Sequence, residues 1–429
     1  MTASAAVDIQ QNWCRYLPDK KKIGTTKEGE DILAPKNTLQ NLFLALTKAP
    51  TLKGLFAFDE WRSSIRVART PPWDTDSRKI PRPLCDTDYT ALRVYLEGLD
   101  GFSCSYPKDV VADMIERTAK LCSFNDVTAY FSSLVWDRKP RIDTWLADYV
   151  SAENNEANRF MGSKYLISAI ARALKPGTQV DHMLVLEGDQ GIGKSTVFKV
   201  LFSPWYLEGM PDPSDPHAAF KIQGFLCVEA SELAALSRGD QRAAKTFITM
   251  KEDVFRAPYS RNFVSAPRRC VFAATTNERD YLSDPTGARR FWCVRTSRSK
   301  SFRLDELQAD RDQIWAEAKF RYEAGEHWWP ETETDMAMLA SVAAERMEDN
   351  VFLAGLQSWI ALPMTTTPIT INDALKALKI EPKYTTPSMR NQIVSALKSL
   401  GLERLSRRES VVADGKTIRV SLYDRKKAT

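Results

Sequence analysis

Histidine is scarce. His182, His217 and His327 are the three in 429 residues, too few and too scattered for a His-based metal site or a catalytic triad. Cysteine offers no pattern either: Cys14, Cys85, Cys104, Cys122, Cys227, Cys270 and Cys293 form no CxxC pair and are odd in number. That argues against a disulfide framework and a zinc site, and predicts reduced thiols in a cytoplasmic compartment. No apolar run approaches the roughly 20 residues that a membrane helix needs. The N-terminal MTASAAVDIQQNW lacks the basic start and apolar core of a signal peptide, so the sequence predicts a soluble protein with no membrane partner. Internal repeats and low-complexity tracts are missing as well. Charge of one sign is also in short supply. Sixty Lys and Arg against 55 Asp and Glu leave a net +5, so the location of the charge says more than its sum.

What is present is ordinary globular composition, 43% hydrophobic and 27% charged, over a length that suits two or three domains. Residues 1–40 read as a loosely ordered segment, with DKKKIGTTKEGED polar and turn-rich. Residues 41–175 read as a helical domain. Leu39, Leu42, Phe43 and Leu46 recur at the spacing of one buried helix face, and Tyr89, Leu92, Tyr95 and Leu96 do the same beyond the proline-rich PPWDTDSRKIPRP. From 176 to 330 short β-type runs alternate with helical stretches: MLVLE (183–187), FLCVE (225–229) and RCVFAATT (269–276). That alternation predicts an α/β domain with a parallel sheet. Residues 331–365 read as linker helices.

The strand MLVLE runs into Gly188-Asp189-Gln190-Gly191-Ile192-Gly193-Lys194-Ser195, a complete GxxxxGK[ST] phosphate loop followed by Thr196 and a helix-compatible stretch. Glycines let successive backbone N–H groups face phosphate oxygens, Lys194 reaches the β and γ positions, and Ser195 supplies a Mg²⁺ ligand. FLCVEASEL then ends a strand in Glu229, with Glu232 a helical turn later. An acid there can hold the metal's hydration shell or polarise the attacking water, and either Glu229 or Glu232 serves as the base. Ala230 stands where a second adjacent acid would be. Asn277 closes the third strand, where its amide can hold the lytic water or a γ-phosphate oxygen. In DPTGARRFW, Arg289 and Arg290 can present a guanidinium to developing phosphate charge, or pair with Asp284.

The final segment, 366–429, reads as a winged helix. Thr370 and Asp373 form a capping box, and Pro387 opens a second helix with Met389, Ile393, Leu397 and Leu400 on one face, closed by Gly401. RESVVADGKTIRVSLY is a hairpin turning at Asp414-Gly415. Residues 401–429 hold eight basic and four acidic residues, most of the chain's excess, among them Arg407, Arg408, Lys416 and Arg419. With Arg390 on the helix, they suit a duplex groove. Arg256, Tyr259 and Arg261, with Arg268 and Arg269 after them, put basic residues beside an aromatic, which suits single-stranded nucleic acid. The structural alternative has Arg256 paired to a carboxylate and Tyr259 packing the turn.

Taken in order, PPW, WDRKPRIDTWL, KPGTQVDHMLVLEGDQGIGKST, FLCVEASEL, DVFRAPYSR…PRRCVFAATTN and DPTGARRFW resemble the virulence-associated E family of phage and genomic-island proteins, which look like superfamily 3 helicases. The resemblance covers roughly 70–300. It implies a P-loop NTPase core of the additional-strand, AAA+-related class that binds ATP and works as a ring, with a hexamer as the expected form. It matches Glu229 to the second acidic motif and Asn277 to sensor 1, and assigns Arg289 or Arg290 to the neighbouring subunit's site. It also implies a hairpin at 256–261 projecting into a channel that holds single-stranded DNA, duplex origin contact through the winged helix, and a separate primase as partner. The expectation is therefore an ATP- and Mg²⁺-dependent DNA helicase or replication initiator in a bacterial cell or phage-infected host. A DNA-binding ATPase switch, regulatory or defensive and without unwinding, is the alternative.

Overall fold

Two units divide the chain: Met1–Glu278 with Gly287–Ala343, and Arg279–Thr286 with Ala344–Thr429. The computed structural model describes residues 13–74, 80–99, 101–231, 238–256, 263–278, 281–282, 290–297, 301–346, 352–362, 368–381, 384–413 and 416–425. Among these, no helix is long and apolar enough to cross a membrane.

The first unit begins with a correction. Within the segment expected to be loosely ordered, β1 (Lys20–Thr25) and β2 (Asp31–Pro35) pair as an antiparallel hairpin. Helix α1 (Leu39–Lys48) follows, its Asn41 N–H capped by the Thr38 side chain. Leu42 and Leu46 are buried as the periodicity requires, but Leu39, at the first helical position, is 59% exposed. The 41–175 region is not helical throughout either. Strands β3 (Phe56–Asp59), β4 (Ser64–Val67), β5 (Arg82–Pro83) and β6 (Ser123–Phe124) form a sheet in the order β5-β4-β3-β6. Helices α2 (Asp86–Gly98) and α3 (Lys108–Ala119) share its core through Leu92, Leu96 and Ile115 against Phe56 and Val67. No strand here exceeds four residues, and Phe56, Ala57 and Asp59 of β3 are all buried, so no period-2 alternation marks them.

Helices α4 (Asp126–Ser133), α5 (Trp145–Val150) and α6 (Glu156–Leu174) precede the main sheet. Its strands are β7 (Met183–Glu187), then, after α7 (Lys194–Phe202), β8 (Tyr206–Glu208), and, after α8 (Ala218–Lys221), β9 (Cys227–Ala230). Helix α9 (Arg238–Thr249) and a hairpin of β10 (Glu252–Phe255) with β11 (Val264–Pro267) come next, followed by β12 (Val271–Thr276) and β13 (Phe291–Arg295). The spatial order is β13-β7-β12-β9-β8, with every pairing parallel. The strand ending in Asn277 thus lies between the glycine-loop strand and the Glu229 strand. Both β8 and β13 are additions to the three strands legible in the sequence.

Every residue of β7 and β12 is buried, the mark of a parallel sheet covered on both faces. Helix α6 is buried along most of its length, and Leu166 and Ile170 join Leu184, Leu186 and Trp315 in one core. It therefore belongs with the sheet rather than with a separate helical domain. After α10 (Leu304–Glu323), helix α11 (Glu333–Ala344) adds Leu339 to the same core, so it is not a free linker.

In the second unit, α12 (Leu353–Ile360), β14 (Ile369–Thr370), α13 (Ile371–Ala377), α14 (Pro387–Ser399), β15 (Leu402–Ala413) and β16 (Lys416–Arg425) surround a core of Leu356, Ile369, Leu375, Ile393, Leu397 and Tyr423. The capping box forms, with Thr370 accepting from the Asp373 N–H and Asp373 accepting from the Thr370 N–H at 2.8 Å. The sheet order is β14-β16-β15, antiparallel throughout, with a register shift between Arg404 and Arg408.

Two arginines expected to flank a nucleic-acid-binding turn are instead structural. Arg268 is fully buried, donating from Nε to Asp253 Oδ2 at 2.7 Å, from Nη2 to Oδ1, and from Nη1 to the Phe247 carbonyl at 2.7 Å. Its guanidinium also lies 4.5 Å from the centre of the Phe247 ring. Arg269 donates to the Glu60 and Trp61 carbonyls. A guanidinium taken out of water needs such partners. Arg268→Ala leaves the buried Asp253 carboxylate without its pair and should cost about 3–5 kcal/mol, read as a lower urea midpoint.

Candidate functional site

Strand β7 ends at Glu187 and the chain turns through Gly188–Gly193 into α7. The turn is tied to its neighbours: the Gly188 N–H donates to the Thr276 carbonyl at 3.2 Å, and the Thr296 N–H and Oγ1 both donate to the Glu187 carbonyl, at 2.8 and 2.6 Å. The closeness explains Gly188, where a Cβ would stand 2.4 Å from Thr296 Oγ1 and 2.8 Å from Ile192 Cδ1. Gly193, the residue before α7, has φ +96°, a conformation that side-chain-bearing residues resist.

Lys194 is 7% exposed, and its ammonium donates to the Gly188 carbonyl at 2.7 Å, the Asp189 carbonyl at 2.7 Å and Asn277 Oδ1 at 2.8 Å. Burial holds it below the ordinary lysine range, with Asp189 and Glu229 pulling the other way. Beside it, fully buried Glu229 is surrounded by hydroxyls. Ser195 Oγ donates to Oε1 at 2.6 Å, Thr275 Oγ1 donates to Oε1 at 3.0 Å, and the Tyr206 hydroxyl donates to Oε2.

Lys194, Ser195, Glu229 and Asn277, chosen from sequence, therefore converge at the C-terminal edge of three adjacent strands. Thr275 and Tyr206 join them without having been singled out. Thr275 sits one strand position before the Thr276-Asn277 tip, where a polar pair in an apolar run was the available signal. Tyr206 lies on a three-residue edge strand with no pattern to find. The set can hold a polyphosphate against the loop and Lys194, and a hard divalent cation at the Ser195 hydroxyl and Glu229 carboxylate.

The remaining candidates lie apart from this cluster or outside the described residues. Arg290 immediately precedes β13, whose Phe291 pairs with Met183, so it stands at the opposite edge of the sheet. At about 3.3 Å per residue a five-residue strand separates the two edges by roughly 16 Å. There Arg290 lines a cavity of about 500 Å³ with Asp181, His182, Trp292, Trp328 and Trp329. His182 stacks on Trp292 at 3.6 Å, and burial, helped by Arg172, pushes its pKa down to about 3, which keeps the ring neutral. Arg256 is exposed at the end of β10 and Arg390 is exposed on α14. Arg407 and Arg408 fall on β15, and Lys416 and Arg419 on β16. Their side chains, like Glu232, Tyr259, Arg261 and Arg289 entirely, lie outside the described residues.

Fold and site together define a class, a mixed α/β protein whose five-stranded parallel sheet is consistent with an NTPase-like core. The family follows from the sequence itself. Residues 131–348, just over half the chain, match the virulence-associated protein E-like domain, and the chain belongs to that family. No curated protein matches it. Among solved structures, the apo structure of the NrS-1 C terminal region (305-718) aligns with a TM-score of 0.45 at 14% identity, covering 85% of this chain and 95% of that one. An A form apo structure of the same region gives 0.44 and 13% over the same shares.

Gly188→Ala tests the tight turn without any ligand. Its Cβ meets a threonine oxygen already committed to a hydrogen bond, so the variant should lose about 1–3 kcal/mol of stability in urea denaturation.

Proposed function

We propose that this chain is an ATP-dependent DNA motor: a P-loop NTPase whose subunits assemble into a ring, with six as the expected number, and move along DNA. The observation that carries the reading is the meeting of Lys194, Ser195, Glu229 and Asn277 at one edge of the sheet, from three strands that are far apart in sequence. Lys194 would exchange its carbonyl partners for phosphate oxygens against Gly188–Thr196. Asn277, relieved of Lys194, would orient the attacking water. Glu229, in contact with Ser195, would stand on the metal side, with Glu232 as the second candidate for the base. Ser195 and Glu229 would hold a Mg²⁺ ion, which would supply charge neutralisation along the phosphates.

The far-edge position of Arg290 supports a role for it, or for Arg289, in a neighbouring subunit's site. The β10–β11 hairpin leading to Arg256, Tyr259 and Arg261 would meet single-stranded DNA in the ring. The second unit, with a helix α14 carrying Arg390 and a basic two-stranded wing, would act as a winged helix on duplex DNA at an origin. A separate primase would complete the replication machinery of a phage or mobile element in the bacterial cytoplasm.

A strand-displacement assay tests the motor directly, with Lys194→Ala expected to abolish hydrolysis and unwinding together. DNA-stimulated hydrolysis without displacement would instead favour a regulatory or defensive switch. Arg289→Ala or Arg290→Ala should lower kcat by about a thousandfold, the scale of an arginine finger, while nucleotide affinity stays near wild type. An equal loss of binding would mean a role within the same subunit.

A further inference from the structure

Glu229 has two carboxylate oxygens, and its hydroxyl partners divide them. Ser195 and Thr275, both beside the glycine loop, share Oε1 at 2.6 and 3.0 Å. Oε2 receives the Tyr206 hydroxyl from the opposite side, from the edge strand β8. Burial and the neighbouring carboxylate raise the phenol well above the ordinary tyrosine range, so it remains a neutral donor.

The backbone that presents Tyr206 is fixed independently of the site. The Trp205 carbonyl accepts from the Leu226 and Cys227 N–H groups at 2.7 and 3.2 Å. Trp205 Nε1 donates to Asp126 Oδ2 at 3.1 Å, and Arg62 pairs with the same oxygen at 2.9 Å. The Trp205 ring also packs against Tyr130, centroids 5.3 Å apart. A phenol on so well-anchored a strand is a rigid stop for a carboxylate that could otherwise turn about its terminal torsion, which has broad and shallow preferences.

We propose that Tyr206 is a positioning residue: its hydroxyl holds Oε2 so that Oε1 of Glu229 faces Ser195 and the glycine loop. The proposal rests on the nucleotide-hydrolysis reading of that loop. If Ser195 is recruited to the metal side of a bound nucleotide, Thr275 remains on Oε1, and the phenol is the contact, among the described residues, that holds the other oxygen. Ser195 and Thr275 are both committed to Oε1, whereas Tyr206 donates to Oε2.

Tyr206→Phe removes the hydroxyl and keeps the ring. With one hydrogen bond to a charged group gone, kcat for ATP hydrolysis should fall roughly tenfold or more, with KM for ATP near wild type. A second readout needs no turnover. In titrations of a fluorescent ATP analogue, affinity in EDTA should match wild type, whereas the magnesium concentration for half-maximal tightening should rise several-fold. Unchanged kcat with unchanged magnesium dependence would overturn the proposal. So would weakened binding in EDTA together with a lower melting temperature, which would make the phenol a packing group. A wild-type protein that binds the analogue but does not hydrolyse ATP would sink the motor and leave Tyr206 to be decided by the magnesium titration. One that binds no analogue would sink both.

Discussion

In the parallel ladder Thr276 pairs with Glu187 and Ala274 with Ala230, so β7, β9 and β12 end almost level with one another. That shared edge is the constraint on which the site depends. A register slip of one residue in any strand would turn its tip toward the other face. Lys194 can reach Asn277 at the tip of the adjacent strand, and Ser195 can reach Glu229 across β12, because the ladder sets the three strand ends nearly level. The ladder holds because both faces of the sheet are covered, one by α6 and α7 and the other by α9 through Phe247 on Phe272, with apolar residues at nearly every strand position.

The charged groups along that edge are taken out of water in matched sets. The Lys194 ammonium, with three donors, meets three oxygens; the Glu229 carboxylate meets three hydroxyls. A buried charge without partners costs several kcal/mol, so these contacts are what make the cluster compatible with a stable core. They also mean that a ligand engaging Lys194 or Glu229 competes with existing bonds. Affinity there is a difference between two satisfied states, and selectivity comes from which partners can be exchanged. Lys194 can trade main-chain carbonyls for phosphate oxygens, whereas Glu229 is held by side-chain hydroxyls alone among the described residues.

How much of this was legible in the sequence follows from how local each signal is. The glycine loop is contiguous, with a strand before it and a helix after it, and it could be read outright. Glu229 and Asn277 were legible as polar residues capping apolar runs. The N-terminal sheet was not, since FAFD and SIRV are too short to show a period and FAFD buries three residues of four. Arg268 and Arg269 misled because two basic residues near an aromatic look alike whether they face phosphate or carboxylate. Their partners lie 15 residues away at Asp253 and more than 200 away at Glu60 and Trp61, a relation that only folding creates. Tyr206 escaped for the same reason, being brought to Glu229 by a strand of three residues.

The two edges of the sheet bear on assembly. An arginine side chain extends about 7 Å from its Cα, less than half the roughly 16 Å that a five-residue strand puts between Arg290 and the glycine loop. Arg290 therefore cannot touch a phosphate bound by its own loop while the sheet stays intact. Under the proposed function, a nucleotide phosphate that Arg290 contacts would belong to another copy, with the arginine edge of one subunit facing the loop edge of the next. Such a contact joins two different surfaces, and repeating it closes a ring or winds an open filament, depending on the rotation between neighbours. Under the proposed function, hydrolysis then reports on the geometry of the junction as much as on the loop itself. Arg290 itself lines a cavity walled in part by Trp292, Trp328 and Trp329.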